Sequence, residues 1–487
     1  MTSQGRSADR CARNGSFPKT DAHGMAATAL YERACETIES DKQQLFSLNH
    51  EIWSHPELGL EEHHAHNILT RYLKERGFSV EENFIKGTGF RATYSPQIQS
   101  LESEVKGKFT HICILCEYDA LPELGHASGH NLIAESAVAV GSALKSVLEL
   151  NGNEAKITIL GTPDQEGNGC KVEAISQGLF QDVDIAMMVQ PYKVNIAKPT
   201  MLTIMRLKLR YIGKAAHACA QPWEGRNALD AAVLCYNNIS ALRQQLKSSM
   251  RIHGIISKGG IKPNIIPEET EMRFYLRARD HQDMIILQQK ANAAFVAAAK
   301  ATGCELQWEF SETPYSNLCS NDRLAMLYQK HAERLGMEFV TDPVELSLPV
   351  GSTDMGNVSH VVPSILPTFS IIPKESGNHS VANHSAEFTQ IAGTELAHEC
   401  VLSASKAMAM AAIDVITSPE ILKEVKEEFQ ERVQSNAAAV TTCPLRDFNP
   451  NPARQYHLSI SKSVDIFAQY LAWYGVAGSV SKTMVSP

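Results

Sequence analysis

The chain has 487 residues, of which 44% are hydrophobic and 20% are charged. This length and composition exclude a largely disordered protein and allow two or three domains with complete hydrophobic cores. The formal net charge is −9 and no long run of Lys or Arg occurs, which excludes nucleic acid and an anionic membrane surface from the expected partners. The expected ligand is a small molecule.

The N-terminus is polar and lacks an apolar stretch, so we predict a disordered lead-in over 1–24 rather than a signal sequence or a membrane anchor. No uninterrupted run of about 18 apolar residues follows it. The eleven cysteines are odd in number and lack the spacing of a disulfide framework. These features predict a soluble protein of a reducing compartment, located in the cytoplasm.

Apolar residues recur at helical spacing from Ala26 to Gly77, with a break at His55 and Pro56, which predicts two opening helices. Four short apolar runs follow, GFRATY, THICILCEY, AKITILGTP and DIAMMVQP, and the last three alternate with helical segments at 131–151 and 170–180. This order predicts an α/β fold with a mostly parallel sheet and helices on both faces, whose first part covers 25–199.

The pattern changes at 200–312, where strand, helix, two strands, helix and strand follow one another. This order predicts an inserted βαββαβ domain. Residues 313–434 return to the first domain and end in a long helix, and 435–487 form a C-terminal extension that the pattern does not place. Ligands of open α/β sheets lie beyond the carboxyl ends of the strands. The polar stretches at 117–130 and 163–169, together with Gln190, are therefore the candidate site.

Seven motifs carry a resemblance to a known family: WSHPELGLEE, EYDALP followed by GHASGHN, GTPDQEGNG, GKAAHACAQPWEG, PNIIP, GSTDMGNVSHVVP and NHSAEF. They occur in the order found in the M20 peptidase family, within the branch of amidohydrolases and dipeptidases that includes β-alanyl-lysine dipeptidase-like proteins. The resemblance implies a zinc-peptidase-like catalytic domain that holds two divalent metals. It also implies that the inserted domain is a lid that forms a homodimer.

The resemblance also implies where metal ligands and a general base would lie, and three of these positions are substituted. Ser128 stands in place of a Cys ligand, Gln190 in place of a His ligand, and Gln165 in place of the Glu that activates water. A hydroxyl and an amide are poor zinc ligands beside thiolate and imidazole. An amide also cannot accept a proton from water, and a positioned base supplies ~10²–10⁴-fold in rate.

These substitutions predict a degraded dinuclear site. The surviving candidate metal residues are His130, Glu166 and His384, which could hold one zinc or other divalent ion, or no metal. Other candidates come from the same resemblance: His217 for stabilising the substrate oxyanion, Asn264, Gly351, Ser352 and Thr353 for substrate binding, and Asp119 and His126 for supporting His130.

Three hypotheses remain open from the sequence. The first is an enzyme that acts on a small amide- or amino-acid-like metabolite by cyclisation, condensation or isomerisation, with His217 and His130 as acid and base and Gln165 in the former base position. The second is a hydrolase that uses one metal held by His130, Glu166 and His384. The third is a non-catalytic partner subunit.

Overall fold

The computed structural model describes residues 22–96, 109–151, 155–310, 313–373 and 381–441. Most of the predicted lead-in over 1–24, and the predicted extension beyond Thr441, lie outside the described residues. The chain divides into two compact units. One takes the residues up to Thr200 together with Leu318–Gln430, and the other takes Met201–Asn317 and the chain from Glu431.

Helices occur in both units. In chain order they are α1 (Ala22–Ser40), α2 (Lys42–Ser54), α3 (His63–Glu75), α4 (His130–Asn151), α5 (Lys171–Ser176), α6 (Ala228–Leu242), α7 (His281–Thr302), α8 (Asp322–Arg334), α9 (Pro343–Ser347), α10 (Met355–Val358), α11 (Ala386–Ala392), α12 (Glu395–Thr417) and α13 (Pro419–Thr441).

The strands are short in the first unit and longer in the second. In chain order they are β1 (Ser79–Glu81), β2 (Phe90–Tyr94), β3 (Thr110–Cys116), β4 (Ala155–Gly161), β5 (Ile185–Met187), β6 (Gln190–Tyr192), β7 (Thr200–Met201), β8 (Thr203–Ile212), β9 (Arg251–Lys258), β10 (Glu269–Ala278), β11 (Glu305–Phe310), β12 (Pro349–Gly351), β13 (Ser364–Ile365) and β14 (Thr368–Ser370).

The main sheet of the first unit has the strand order β1-β2-β4-β3-β5-β13. Strand β3 pairs in parallel with both β4 and β5, and β5 pairs in parallel with β13, whereas β1 and β2 join antiparallel at one edge. Helix α4 packs on β3 and β4 and also contacts α1 and α12. The predicted α/β fold with a parallel sheet core and helices packed on it is confirmed.

The second unit contains the predicted βαββαβ order, as β8, α6, β9, β10, α7 and β11, and its antiparallel sheet has the order β11-β8-β10-β9. Capping residues explain where its two helices begin, and a glycine explains where α7 ends. The Asn227 side chain caps α6 by accepting from the amide of Leu229, Asp280 caps α7, and Gly303 ends α7 in the left-handed region at φ 69°. Its apolar side chains form a core of their own.

Two features differ from the sequence prediction. Three helices precede β1 rather than two, because the chain turns at Asp41, whose carboxylate is held by Arg76. Helix α13 continues beyond α12 and was not predicted. Two helices, α4 and α12, are long and apolar enough to span a membrane, but 94% and 67% of their apolar windows are buried inside the protein, as in core helices.

Candidate functional site

The candidate site forms where α4 begins, next to the carboxyl ends of the central strands. Glu117 follows β3 directly, the loop containing Glu166 follows β4, and Gln190 opens β6. The turn before α4 contains Gly129 at φ 72°, a left-handed conformation that favours glycine. This turn places Ser128 and His130 beside the strand ends. The position agrees with the rule for open α/β sheets.

Five buried charged side chains form what we call the ionic cluster: Glu117, Asp119, His130, Lys171 and Asp354. The Lys171 ammonium donates to Glu117 Oε1 at 2.6 Å and to Asp354 Oδ1 at 2.7 Å. His130 Nδ1 lies 3.0 Å from Asp119 Oδ1, and its Nε2 lies 3.4 Å from Glu117 Oε2. Glu117 thereby connects the lysine to the histidine. A buried network of this kind is stable only when its charges are paired.

Proton affinities in the ionic cluster follow from burial and from these pairs. Burial alone would lower the pKa of His130, but the charges of Asp119, Glu117 and Glu166 raise it to about 10. Burial would raise the pKa of Asp119, and the imidazolium of His130 lowers it. Burial raises the pKa of Glu117 despite Lys171. In the absence of metal, His130 is therefore a fixed cation at neutral pH, which does not suit the predicted role as a base.

Four less buried side chains form what we call the Ser128 cluster: Ser128, Glu166, Gln190 and His384. Ser128 Oγ hydrogen-bonds to Glu166 Oε1 and lies 2.9 Å from His384 Nε2. The amide of Gln190 donates to the backbone oxygen of Ser128 at 3.2 Å. His384 has φ 64° and a side chain that is 57% exposed, so this imidazole forms the open side of the cluster.

Asp119 joins the two clusters. Its Oδ1 faces His130, while its Oδ2 accepts from the backbone amide of Glu166 at 2.9 Å. Glu166 Oε1 lies 4.0 Å from His130 Nε2 and 3.7 Å from His384 Nε2. The sequence prediction had placed Asp119 beside His130, and the structure adds its contact with the Glu166 loop.

Three nearby residues, His126, Asp164 and Gln165, lie in the predicted polar stretches at 117–130 and 163–169. His126 lies 3.0 Å from the backbone oxygen of Ile52, and burial together with the charge of His130 lowers its pKa to about 4. It is therefore a neutral packing residue. Asp164 accepts from the amide of Asn168 and so closes its own loop. Gln165 is buried beside it.

The donor set does not fit two divalent ions. Two such ions carry four positive charges and need anionic ligands between them, but Glu166 is the one carboxylate in the Ser128 cluster. The Ser128 hydroxyl and the Gln190 amide are neutral and engaged in hydrogen bonds. Across the part of the chain that the structure describes, the one group of three His, Cys, Asp or Glu ligand atoms within 4.8 Å of one another lies elsewhere. His130, Glu166 and His384 thus do not converge on one point as arranged.

The substrate-side candidates lie in both units. In the second unit, the amides of Cys219 and Ala220 donate to Nδ1 of the exposed His217 ring, which leaves Nε2 to carry the hydrogen in the neutral tautomer. The amide of Ala218 donates to the backbone oxygen of Asn264 at 3.1 Å, so these two candidates lie on adjoining segments.

In the first unit, Gly351 and Ser352 are partly exposed, and the buried Thr353 caps the turn that leads into α10. The next residue, Asp354, belongs to the ionic cluster. Sequence reasoning included Glu117 in the polar stretch at 117–130 but missed Lys171 and Asp354 as members of the site. The available signal was their position, since Lys171 follows the stretch at 163–169 in EGNGCK and Asp354 follows the predicted substrate-binding residues in GSTDMG.

Comparison with known proteins gives the family. Residues 203–303 match the model of a peptidase dimerisation domain of M20 peptidases. The chain is 42% identical to an Xaa-Arg dipeptidase of Mus musculus over 411 residues, which cover 83% of this chain and 93% of the relative. It is 40% identical to an Xaa-Arg dipeptidase of Homo sapiens, with 82% and 92% covered.

Solved structures agree on the fold. A dinuclear metal-binding peptidase of the M20 family from Bacillus subtilis superposes with a TM-score of 0.58 at 17% identity, over 78% of this chain and 99% of that one. An aminobenzoyl-glutamate utilization protein from Klebsiella pneumoniae gives 0.57 at 15% identity, over 78% and 97%. The chain belongs to the M20 peptidase family, as a homologue of its dipeptidases and amidohydrolases.

Proposed function

We propose that the protein is an enzyme that acts on the amide bond of a small dipeptide- or amino-acid-like metabolite without the two-metal hydroxide of its family. The observation that carries the proposal is the Ser128 cluster, in which a hydroxyl contacts both a carboxylate and an imidazole. The Xaa-Arg dipeptidase relatives support a dipeptide-sized substrate with an amide to attack. The substitutions at Ser128, Gln165 and Gln190 argue against hydrolysis by metal-activated water.

The Ser128 cluster suits acyl transfer. Glu166 or His384 can accept the proton of Ser128 Oγ while that oxygen attacks the amide carbon, since both groups are within reach. The C–N bond then breaks, the amine leaves with a proton from the same base, and the acyl group stays on Ser128 as an ester. Helix α4 begins two residues later, so its positive end favours negative charge at this position.

The fate of the ester determines the reaction. Attack by an amine of the same molecule gives a cyclic amide, attack by a second amine gives a condensed product, and attack by water gives hydrolysis. The first two outcomes correspond to the cyclisation and condensation expected from the sequence. His217 and Asn264 lie in the second unit, and their roles as oxyanion donor and substrate-binding residue stay predictions from the family resemblance. His130 acts as a fixed cation rather than as the base.

A single-metal amidohydrolase is the second candidate. Four carboxylates, of Glu117, Asp119, Glu166 and Asp354, face two cationic side chains, Lys171 and His130, and this acidic excess favours one added cation. Glu166 would hold a zinc or other divalent ion together with His384 and with His130, which would have to release its proton to bind. The exposed His384 ring would first have to turn, because the three ligand atoms do not converge.

The test is turnover in a chelator. We expect the purified protein to convert a dipeptide or acyl-amino-acid substrate in EDTA, with an ester on Ser128 detectable by peptide mass spectrometry. Ser128→Ala should lower turnover at least about 10²-fold, whereas Ser142→Ala, at a buried serine within α4, should not. Turnover that requires metal and survives Ser128→Ala would support the single-metal candidate instead.

Reversal of the substitutions gives a second test. Ser128→Cys, Gln165→Glu and Gln190→His together restore the donor set that the family resemblance implies. We expect the triple variant to bind two divalent ions and to hydrolyse dipeptides in their presence. If the unaltered protein already binds two ions tightly and hydrolyses dipeptides with them, the proposal is wrong.

We also propose a homodimer formed through the second unit. Strand β9 is at an edge of its sheet, with Ile255 62% exposed and Ile256 37% exposed, and α6 exposes Val233 and Tyr236. An open edge strand with apolar side chains favours pairing with a second copy. Light scattering should give twice the monomer mass, and Ile255→Glu should shift the protein toward monomer.

A further inference from the structure

A second group of potential metal ligands lies outside the candidate site. We call it the His55 cluster, and its members are Glu51 in the last turn of α2, His55 directly after α2, and His64 in the first turn of α3. His64 Nε2 lies 3.1 Å from Glu51 Oε1, and His55 Nδ1 lies 3.7 Å from the same oxygen. The two imidazole rings are 4.8 Å apart between centroids.

The geometry is close to that of a three-ligand metal site. Each residue offers one ligand atom, and the three atoms all lie within 4.8 Å of one another. Ligand atoms around a tetrahedral zinc with bonds of ~2.1 Å are about 3.4 Å apart. The side chains are 37–57% exposed. Small rotations of these side chains in solvent can therefore bring the ligand atoms from within 4.8 Å to the spacing of a zinc site. Two imidazoles with one carboxylate suit Zn²⁺ and other late transition metals rather than Mg²⁺ or Ca²⁺.

The backbone around the His55 cluster is firmly held. The Glu57 carboxylate accepts from the amides of His64 and Ala65 at 2.8 and 2.9 Å, which fixes the start of α3. The backbone oxygen of Glu57 accepts from the amide of Ala120 at 2.8 Å, one residue after Asp119. The backbone that carries the cluster is therefore fixed, whereas His55 Nδ1 must leave the Glu51 backbone oxygen, 3.0 Å away, to bind metal, and the segment is tied to the turn supporting the ionic cluster.

We propose that Glu51, His55 and His64 form a surface site for a transition-metal dication of the Zn²⁺ class, separate from the Ser128 cluster. Water completes the coordination shell, because these three residues supply three ligands. Bound metal joins the end of α2 to the start of α3 and stabilises the segment between them. The proposal does not depend on the reaction proposed for the Ser128 cluster.

The experiment measures Zn²⁺ binding to the full-length protein by equilibrium dialysis, together with the d–d absorption of Co²⁺ as a readout of coordination. The Zn²⁺ affinity of one site per chain should fall about 10- to 100-fold in each of the variants His55→Ala, His64→Ala and the size-conserving Glu51→Gln. His63→Ala, at the exposed neighbouring histidine, should leave that affinity unchanged. His384→Ala should also leave it unchanged, which separates this site from the Ser128 cluster.

Thermal unfolding gives an independent readout. Zn²⁺ that binds the folded state should raise the midpoint of the unaltered protein and of His63→Ala, but not of Glu51→Gln. Glu51→Gln keeps the two imidazoles and the helix ends, so its folding can be verified by circular dichroism without metal. Unchanged Zn²⁺ affinity in all three ligand variants, or loss of that affinity in His384→Ala alone, would overturn the proposal.

Discussion

The ionic cluster and the Ser128 cluster touch through Asp119, yet they differ in burial and pairing. In the ionic cluster, Lys171 and His130 each contact carboxylates and all five side chains are buried. In the Ser128 cluster, Ser128 is buried but Glu166, Gln190 and His384 are at least partly exposed, and the groups in contact are a hydroxyl, an amide, an imidazole and a carboxylate. The first arrangement favours stability, whereas the second leaves reactive groups accessible. Under the proposed function, the substitutions alter the reactive groups of the Ser128 cluster while the charges of the ionic cluster stay paired.

The largest expected effect comes from breaking the ionic cluster at its centre. Lys171→Met should lower the free energy of unfolding by about 3–5 kcal/mol, because it leaves Glu117 and Asp354 buried without a cation. Urea unfolding at pH 8 measures the loss. Lys198→Met removes a lysine whose pair with Asp322 is half exposed, and it should cost less than about 1 kcal/mol. Equal losses of unfolding free energy in the two variants would mean that the buried ion pairs contribute no more to stability than the exposed pair.

The contacts of Lys171 show which features of the site the sequence does not predict. Strands β3, β4 and β5 and the βαββαβ order are readable because apolar periodicity is a local signal. The position of the site is readable because strand ends and motifs agree. Lys171 and Asp354 are 183 positions apart in the chain, and only the folded chain brings them together. The same holds for His126 and Ile52, whose contact assigns His126, predicted to support His130, to packing.

His130 and His126 should make the stability of the fold depend on pH in opposite directions. The pKa of His130 is raised from 6.5 to about 10, so the stability it contributes is complete below pH 6.5 and is lost as the pH rises toward 10. The pKa of His126 is lowered to about 4, so this residue destabilises the fold as the pH falls from 6.5 toward 4.

Unfolding curves in EDTA measure both effects. The stability difference between the unaltered protein and His130→Gln should shrink as the pH rises from 6.5 to 10. His126→Gln should instead gain stability relative to the unaltered protein between pH 6.5 and 4. Parallel curves for the three proteins would contradict the assignment of charges in the ionic cluster.

Gly129 connects the two clusters, and its substitution should be costly for two reasons. A Cβ atom at this position would lie 2.5 Å from Pro191 Cγ, and φ is 72°. Gly129→Ala should therefore cost about 2–3 kcal/mol from left-handed strain and overlap together. Gly336→Ala is the control, because Gly336 also has a positive φ but no heavy atom within 4 Å of its added Cβ. A loss of only about 1–2 kcal/mol is expected there from strain alone.

The smallest effect on stability should come from Ser128 itself. Its hydroxyl contacts Glu166 and His384, whose side chains are 17% and 57% exposed, so water can replace the lost hydrogen bonds. We expect Ser128→Ala to change the free energy of unfolding by less than about 1 kcal/mol. Ser405→Ala should cost more, about 1–2 kcal/mol, because that buried hydroxyl bonds to Ser136 Oγ and leaves it without this partner. A residue that contributes little to stability but is required for turnover has been kept for chemistry, and a large stability loss in Ser128→Ala would instead assign it to the framework.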